Sequence, residues 1–358
     1  MRPKTVNKDL PPRMVAMRRK RKNGSEWVAY FYFGKDEYGN RKQVPLGSDL
    51  SEAKIKWAAL ETGKSLDVIA RPHGQKLMCE LFDHYLKSRE FTSLGVKTQR
   101  GYEAHIKQLR KVFDTAPINK ITPAMVSAYR ANRTAVVQAN REVTMLSTLF
   151  NLARGWGMLD GANPASGLRK NKETARRYYA DNEVWDLVLE HAAQELKDAM
   201  RLSYLTGQRP ADVCKMRFSD IHDGHLEVEQ NKTEARLRIR LQRDDGTLYE
   251  LGELIEELRA RKVSSLFLVA TDKGKPLTDH TRRLRFDAAR TKAADAADAR
   301  GDKALAERIR AFWYADIRPK SASDEKQLSD ASARLGHTDQ QITKTVYRRA
   351  GQTVTPLR

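Results

Sequence analysis

Arg209, Lys232, Arg318, His337 and Tyr347 occur in that order over about 140 residues near the C-terminus. Arg209 follows the Thr-Gly turn of "YLTGQRPADV", and Lys232 sits at the tip of the hairpin-like "EVEQNKTEARLRIRL". Arg318 lies in "ADIRPKSASD", His337 in "LGH", and Tyr347 ten residues further on in "KTVYRR". These are the groups that phosphoryl transfer to a tyrosine hydroxyl requires. The transition state spreads negative charge over the non-bridging oxygens, and guanidinium forks stabilise it. A lysine on a hairpin can protonate a departing 5′-oxygen, and a tyrosine can hold the phosphoryl group covalently. Taken one at a time, each residue has an ordinary structural reading: a turn arginine, a hairpin tip, a capped histidine, a packing aromatic. Their order and company make the chemical reading.

The elements that must position them are legible in outline. "NEVWDLVLEHA", "ELKDAMRLSYLTG" and "PADVCKM" read as helices around Arg209. "GHLEVEQNKTEARLRIRL" reads as a two-stranded hairpin presenting Lys232. "DAARTKAADAADARGDKALAERIRA" is rich in alanine and charge and is expected to be an exposed helical excursion outside the core.

The partner follows from composition. The 358 residues carry a formal net charge of +20 yet are 40% hydrophobic, so a folded protein with a polyanionic partner is expected. No run of about 18 apolar residues occurs, and "MRPKTVNKDLPPR" lacks the apolar core of a signal peptide, which argues against membrane insertion and secretion. Cys79 and Cys214 stand far apart, and no Cys or His pair has zinc-finger spacing, so no metal site is expected.

The first half supplies DNA-sized modules. Basic residues crowd the first 22 positions, including Arg18, Arg19, Lys20, Arg21 and Lys22. The β-prone "EWVAYFYF" and "RKQVPLG" follow, then a helix opening at "SDLSEAKIKWAALE". A small β-sheet with one helix and a basic arm, residues 1–60, fits a major groove. Residues 61–75 read as a linker. Residues 76–170 read as a helical bundle: Tyr102, Ile106, Leu109 and Phe113 share one stripe, Val143, Leu146, Leu149, Phe150 and Ala153 another. Lys97, Arg100 and Arg141 are among the cations available on its outer face. A basic connector then leads to a mixed α/β, mostly helical domain over residues 178–358. The expected class is a multidomain, mainly α protein.

At this point the chain resembles the tyrosine recombinases, specifically phage integrases of the lambdoid type with an N-terminal arm-binding domain. "TGQRPADV", "EQNKTEARLRI", "DIRPKSASD" and "LGHTDQQITKTVY" carry the resemblance. It implies that Arg209 and Arg318 hold the scissile phosphate, Lys232 is the general acid, His337 bonds a non-bridging oxygen and Tyr347 is the nucleophile. It further implies a C-shaped clamp and a homotetramer on double-stranded DNA, with core-type and arm-type sites and strand exchange through a Holliday junction. No metal, ATP or other cofactor is implied. A host DNA-bending protein and an excision factor are implied partners, in the cytoplasm of a bacterial host at its nucleoid. One departure stands out. The family's second-arginine block reads His-x-x-Arg, whereas here Ala315 precedes Asp316, Ile317 and Arg318. Lys320 or a displaced histidine such as His280 is a candidate replacement. The alternatives are a DNA-binding architectural protein that no longer cleaves and a type IB topoisomerase-like relaxase.

Overall fold

A computed structural model describes residues 10–20, 26–35, 41–62, 76–261, 263–351 and 356. The chain divides into two units, Met1–Glu173 and Thr174–Arg358. The first unit contains two separate apolar clusters, one in the N-terminal sheet module and one in the helices that follow.

The N-terminal sheet is antiparallel, in the order β1 (Met14–Lys20), β2 (Glu26–Lys35), β3 (Arg41–Gly47). Period-two alternation sends Met14, Tyr32 and Leu46 to one face, where Ala53 of helix α1 (Leu50–Thr62) and Trp57 close over them. Trp57 Nε1 donates to the carbonyl of Pro12 at 2.7 Å, which ties the helix to the chain entering β1. The basic N-terminal run is therefore partly sheet: Arg18 and Arg19 lie exposed on β1, paired in register with Val28 and Trp27. Lys20 ends the strand, and Arg21 and Lys22 lie outside the described residues. The linker expected over 61–75 also falls largely outside them, at residues 63–75.

Four helices build the second cluster: α2 (Met78–Lys87), α3 (Val96–Phe113), α4 (Pro123–Asn132) and α5 (Val136–Gly155). The expected stripes are its interior, with Ile106, Leu109 and Phe113 facing Leu146, Leu149 and Phe150 in one apolar cluster. Thr122 caps α4, its hydroxyl accepting from the amide of Met125 at 3.3 Å with Pro123 at the first helical position. Not every cation here is free for a partner. Arg133 is bonded to the buried Glu142 carboxylate, which also accepts from the Tyr129 hydroxyl at 2.6 Å. Arg141 pairs with Glu173 at 3.1 Å, while Lys97 and Arg100 are exposed.

The second unit surrounds one large core. Helices α6 (Asn182–Glu190) and α7 (Gln194–Thr206) pack with α8 (Glu250–Ala260) and the pair α9 (Asp279–Ala299) and α10 (Lys303–Ala311). The small sheet has three antiparallel strands, β4 (Ile221–His222), β5 (His225–Glu229) and β6 (Arg236–Arg240). The Ala-rich stretch corrects the expectation of an exposed excursion. Ala289, Ala293, Ala294 and Ala297 of α9 and Leu305, Ala306 and Ile309 of α10 are buried in the core. Alanine has too little side chain to announce an apolar face by hydrophobicity, yet its small size is what lets two helices pack closely. Among the described residues no helix is long and apolar enough to cross a membrane.

Candidate active site

Helix α7 ends at Thr206, and Gly207 turns the chain back in the left-handed conformation, φ +65°. A side chain there would be strained by that φ and would meet Leu335 Cδ2 at 3.1 Å and Ser321 Oγ at 3.3 Å. The turn delivers Arg209 to the start of a single helical turn, Pro210–Val213. Arg209 Nη1 donates to Gln230 Oε1 at 2.8 Å.

Gln230, at the end of β5 and fully buried, is the joint of the site. Its amide nitrogen donates to Gln208 Oε1 at 2.8 Å and to the carbonyl of Leu335 at 2.9 Å. Its oxygen accepts from Arg209 and from Thr233 Oγ1 at 2.6 Å. Across the turn, Asp212 accepts from the backbone and side-chain amides of Asn231. Asn231 and Thr233 are thus bound on both sides of Lys232, which itself projects exposed from the hairpin turn. Replacing Gln230 with leucine should take the partner from the buried Gln208 Oε1 and from Arg209 Nη1, costing about 3 kcal/mol of stability at roughly 1–3 kcal/mol per orphaned group. A urea titration of the variant measures it.

Arg318 comes from the first turn of α11 (Ile317–Asp324) and is 4% exposed. Its Nη1 donates to the carbonyl of Gly207 at 2.6 Å and its Nη2 to that of Leu335 at 2.8 Å. Those carbonyls end two helices, α7 and α12 (Leu328–Leu335), where the helix dipoles are negative. That is how a buried guanidinium is tolerated. Burial still pulls its pKa down, to about 10, so it stays charged at neutral pH.

Gly336 caps α12 at φ +68°, and any Cβ there would lie 2.8 Å from Gln230 Nε2. His337 follows. Its Nε2 lies 3.1 Å from Arg318 Nη2 and its Nδ1 2.8 Å from Thr343 Oγ1. A guanidinium only donates, so Nε2 accepts, and the neutral ring carries its proton on Nδ1, donated to Thr343. Burial first, then the charges of Arg318 and Arg209, push the imidazole pKa down to about 4. An unfolded histidine titrates near 6.5, so between about 6.5 and 4 the unfolded chain binds the extra proton. Stability should therefore be full above about 6.5 and fall as pH drops toward 4. Urea unfolding of wild type and His337→Asn across that window checks it: the variant's slope should be shallower.

Tyr347 sits at the end of a π-helical turn, Thr343–Tyr347. Its ring centroid is 4.9 Å from that of His337, and Arg318 Cζ lies 5.1 Å from it. The ring packs on Ala322, Ala331 and Leu335. Arg209, Arg318, His337 and Tyr347 are thus joined through direct contacts and Gln230. Arg348 and Arg349 are engaged within the protein. Arg348 donates to the carbonyls of Glu325 and Lys326, and Arg349 pairs with Asp316 at 2.7 Å.

The departure at Ala315 is also placed. Ala315 is exposed and lines a cavity of about 430 Å³ with Pro210, Arg282, Arg283 and Trp313. Lys320 is no replacement: it is 1% exposed, donates to Asn182 Oδ1 at 2.7 Å and pairs with Asp324 at 3.0 Å. His280 is exposed on the first turn of α9 and is not among the residues lining that cavity. Gln208 and Gln230 were not singled out from sequence. The available signal was alternation along β5, where Val228 is buried and Gln230 must face the same side.

Two guanidinium groups, a neutral imidazole and the phenol of Tyr347 gather at two helix ends, an arrangement with the donors to bind a phosphate. The model of the phage integrase family matches residues 178–353. The integrase of Enterobacteria phage 434 is 27% identical over 92% of this chain and 91% of its own length. That of Escherichia phage HK022 is 30% identical, over 54% of this chain and 56% of its own length. The structure of a lambda integrase tetramer bound to a Holliday junction covers 97% of this chain and 98% of its own, with TM-score 0.64 at 24% identity. A lambda integrase dimer bound to a core site covers 79% of this chain with TM-score 0.65 at 22% identity. The chain belongs to the phage integrase family of tyrosine recombinases, on the lambdoid plan. It is a site-specific recombinase, a DNA strand-transfer enzyme.

Proposed function

We propose that this recombinase cuts DNA by attack of Tyr347 Oη on a backbone phosphorus held by Arg209 and Arg318. The observation that carries the reading is the packing of Tyr347 against both Arg318 and His337. The new bond is a 3′-phosphotyrosine, with the phenol's proton released to solvent; the bond broken is to the 5′-oxygen, which leaves as a hydroxyl with a proton from Lys232. A 5′-hydroxyl from the partner duplex then attacks the phosphotyrosine, the tyrosine leaves, and the strand is rejoined. The phosphotyrosine conserves the bond energy, so the sequence of steps balances without ATP. An entering phosphate displaces the Arg318–His337 contact and favours a proton on Nε2, which can then donate to a non-bridging oxygen.

By analogy with the lambda integrase tetramer on its junction, a homotetramer exchanging strands through a Holliday junction is the assembly we assign. Residues 1–60 form the arm-type module, with Arg18 and Arg19, exposed on β1, at its DNA face. Residues 76–170 form the core-binding bundle, with the exposed Lys97 and Arg100 toward the phosphates and Arg141 held by Glu173, and residues 178–358 the catalytic domain. The reaction then integrates and excises a mobile element in the bacterial cytoplasm, at the nucleoid, with a host DNA-bending protein and an excision factor as partners. Deleting residues 1–60 should leave adduct formation on a nicked core substrate intact and abolish integration into a supercoiled target. Unchanged integration refutes the two-site plan.

Ala315 supports a second reading, a DNA-binding relative that cleaves slowly or not at all, because no histidine is among the described residues that line its cavity. The adduct assay separates the two. No adduct in wild type, gained on Ala315→His, establishes the second.

A further inference from the structure

The connector that enters the second unit is bonded at both ends. Upstream, the backbone amide of Asn171 donates to Asn140 Oδ1 at 2.8 Å, and Asn140 Nδ2 donates to the carbonyl of Asn171 and to Glu173 Oε1. Arg141 pairs with the other oxygen of Glu173. Downstream, Arg176 donates through Nε at 2.8 Å and Nη2 at 2.5 Å to the two carboxylate oxygens of Asp316. The same guanidinium donates to the carbonyl of Ala311 and lies 3.9 Å from the ring centre of Trp313. Only Thr174 and Ala175 separate the two anchors. Three Cα steps span at most about 11 Å, which is the reach of the chain between them.

Asp316 carries the downstream anchor onward. It is 1% exposed and also accepts from Arg349 Nη1 at 2.7 Å, two residues past Tyr347. Arg349 donates in addition to the carbonyl of Tyr178 at 3.2 Å, so it grips the connector directly. Its backbone amide donates to Ser323 Oγ at 2.8 Å, and that hydroxyl donates to the carbonyl of Tyr347 at 3.3 Å. Asp316 is itself two residues from Arg318. A single buried carboxylate thus joins the connector, the segment bearing Tyr347 and the turn bearing Arg318. Arg176 and Arg349 meet on the same carboxylate oxygen, Oδ1, so a shift of one guanidinium changes the geometry left to the other.

We infer that Arg176, Asp316 and Arg349 form a latch through which the connector positions the Tyr347 turn, so that its tension sets how fast the tyrosine attacks. The inference rests on the reading of Tyr347 as the nucleophile. Arg176 and Asp316 act through Arg349 and the backbone beside Tyr347; they are positioning residues. When the connector is pulled or slackened at Glu173, Arg176 transmits the change to Asp316, and Arg349 shifts the backbone beside Tyr347.

The test uses the full chain and a nicked duplex carrying the attachment core. Single-turnover adduct formation, duplex affinity and thermal unfolding are measured together. Arg176→Gln should slow adduct formation about tenfold, the scale of a sub-ångström misplacement of reacting groups, with affinity for the duplex unchanged. Arg176→Lys should restore part of the rate. Inserting Gly-Ser-Gly-Ser between Thr174 and Ala175 should alter the rate in the wild-type background and have no further effect in Arg176→Gln. An Arg176→Gln protein that is folded and forms adduct at the wild-type rate overturns the latch. So does an insertion whose effect simply multiplies with that of Arg176→Gln, since the two then act independently. Tyr347→Phe is the control that separates the two ideas. Persistent adduct in that variant refutes the nucleophile assignment, whereas its absence beside an unimpaired Arg176→Gln refutes the latch alone.

Discussion

Tyr347→Phe is expected to abolish the denaturant-stable protein–DNA adduct on a nicked suicide substrate, a fall of at least about 10⁴-fold, the scale seen when a covalent nucleophile is removed. The substitution deletes one oxygen and keeps the ring that packs on Ala322, Ala331 and Leu335. Stability should therefore stay within roughly 1 kcal/mol, the worth of one partly exposed hydrogen bond. Duplex affinity should be unchanged, because the phosphate contacts belong to other side chains. Gel shift, thermal unfolding and the adduct assay on the same preparation make the comparison. Adduct in the phenylalanine variant, at any rate close to wild type, assigns the nucleophile elsewhere.

The second large effect belongs to Arg318→Lys. Charge is conserved, but the ammonium is a point donor where the guanidinium is a planar fork. In the native arrangement Arg318 bonds the carbonyls of Gly207 and Leu335 and contacts His337 Nε2, while its buried Nε has no hydrogen-bond partner among the described residues. A lysine cannot reach two helix ends and present donors to a phosphate at once. Losing one preorganised donor to the developing charge costs about 10²–10³ in rate, and that is the expected loss in single-turnover adduct formation. Duplex affinity, spread over many phosphate contacts, should change by less than about tenfold. Rapid-quench measurement of adduct against time decides it, and a lysine variant within tenfold of wild type removes Arg318 from the chemistry. Arg318→Ala is the less informative change, because it takes the donor from the Gly207 carbonyl and one of two from that of Leu335, which confounds folding with catalysis.

Ala315 and Lys320 show where a sequence pattern stops being informative. Ala315 marks a departure from the family's block, and nearby cations look like replacements on paper. The fold buries Lys320 between Asn182 and Asp324 and near the rings of Tyr179 and Tyr204, with no route to the site. Arg348, next to the tyrosine, donates to the carbonyls of Glu325 and Lys326, and Arg349 pairs with Asp316. The Ala-rich helices, expected outside the core, line it, because alanine faces are invisible to a hydrophobicity pattern.

The sequence by itself determined the inventory and its local frame. It set the order Arg209, Lys232, Arg318, His337, Tyr347, the cap at Thr122, the stripes of the bundle, the turn at Gly207 and the excess positive charge. Each of these depends on neighbours within a few residues, where backbone geometry and helix or strand period suffice. Only the tertiary structure decided which atoms meet. Gln230 joining Arg209 to Leu335, Arg318 lying between two helix ends, and Asp316 binding Arg176 and Arg349 all depend on packing between segments tens of residues apart. Local periodicity chooses the face a side chain occupies, but burial and the need to satisfy every buried polar group choose its partner.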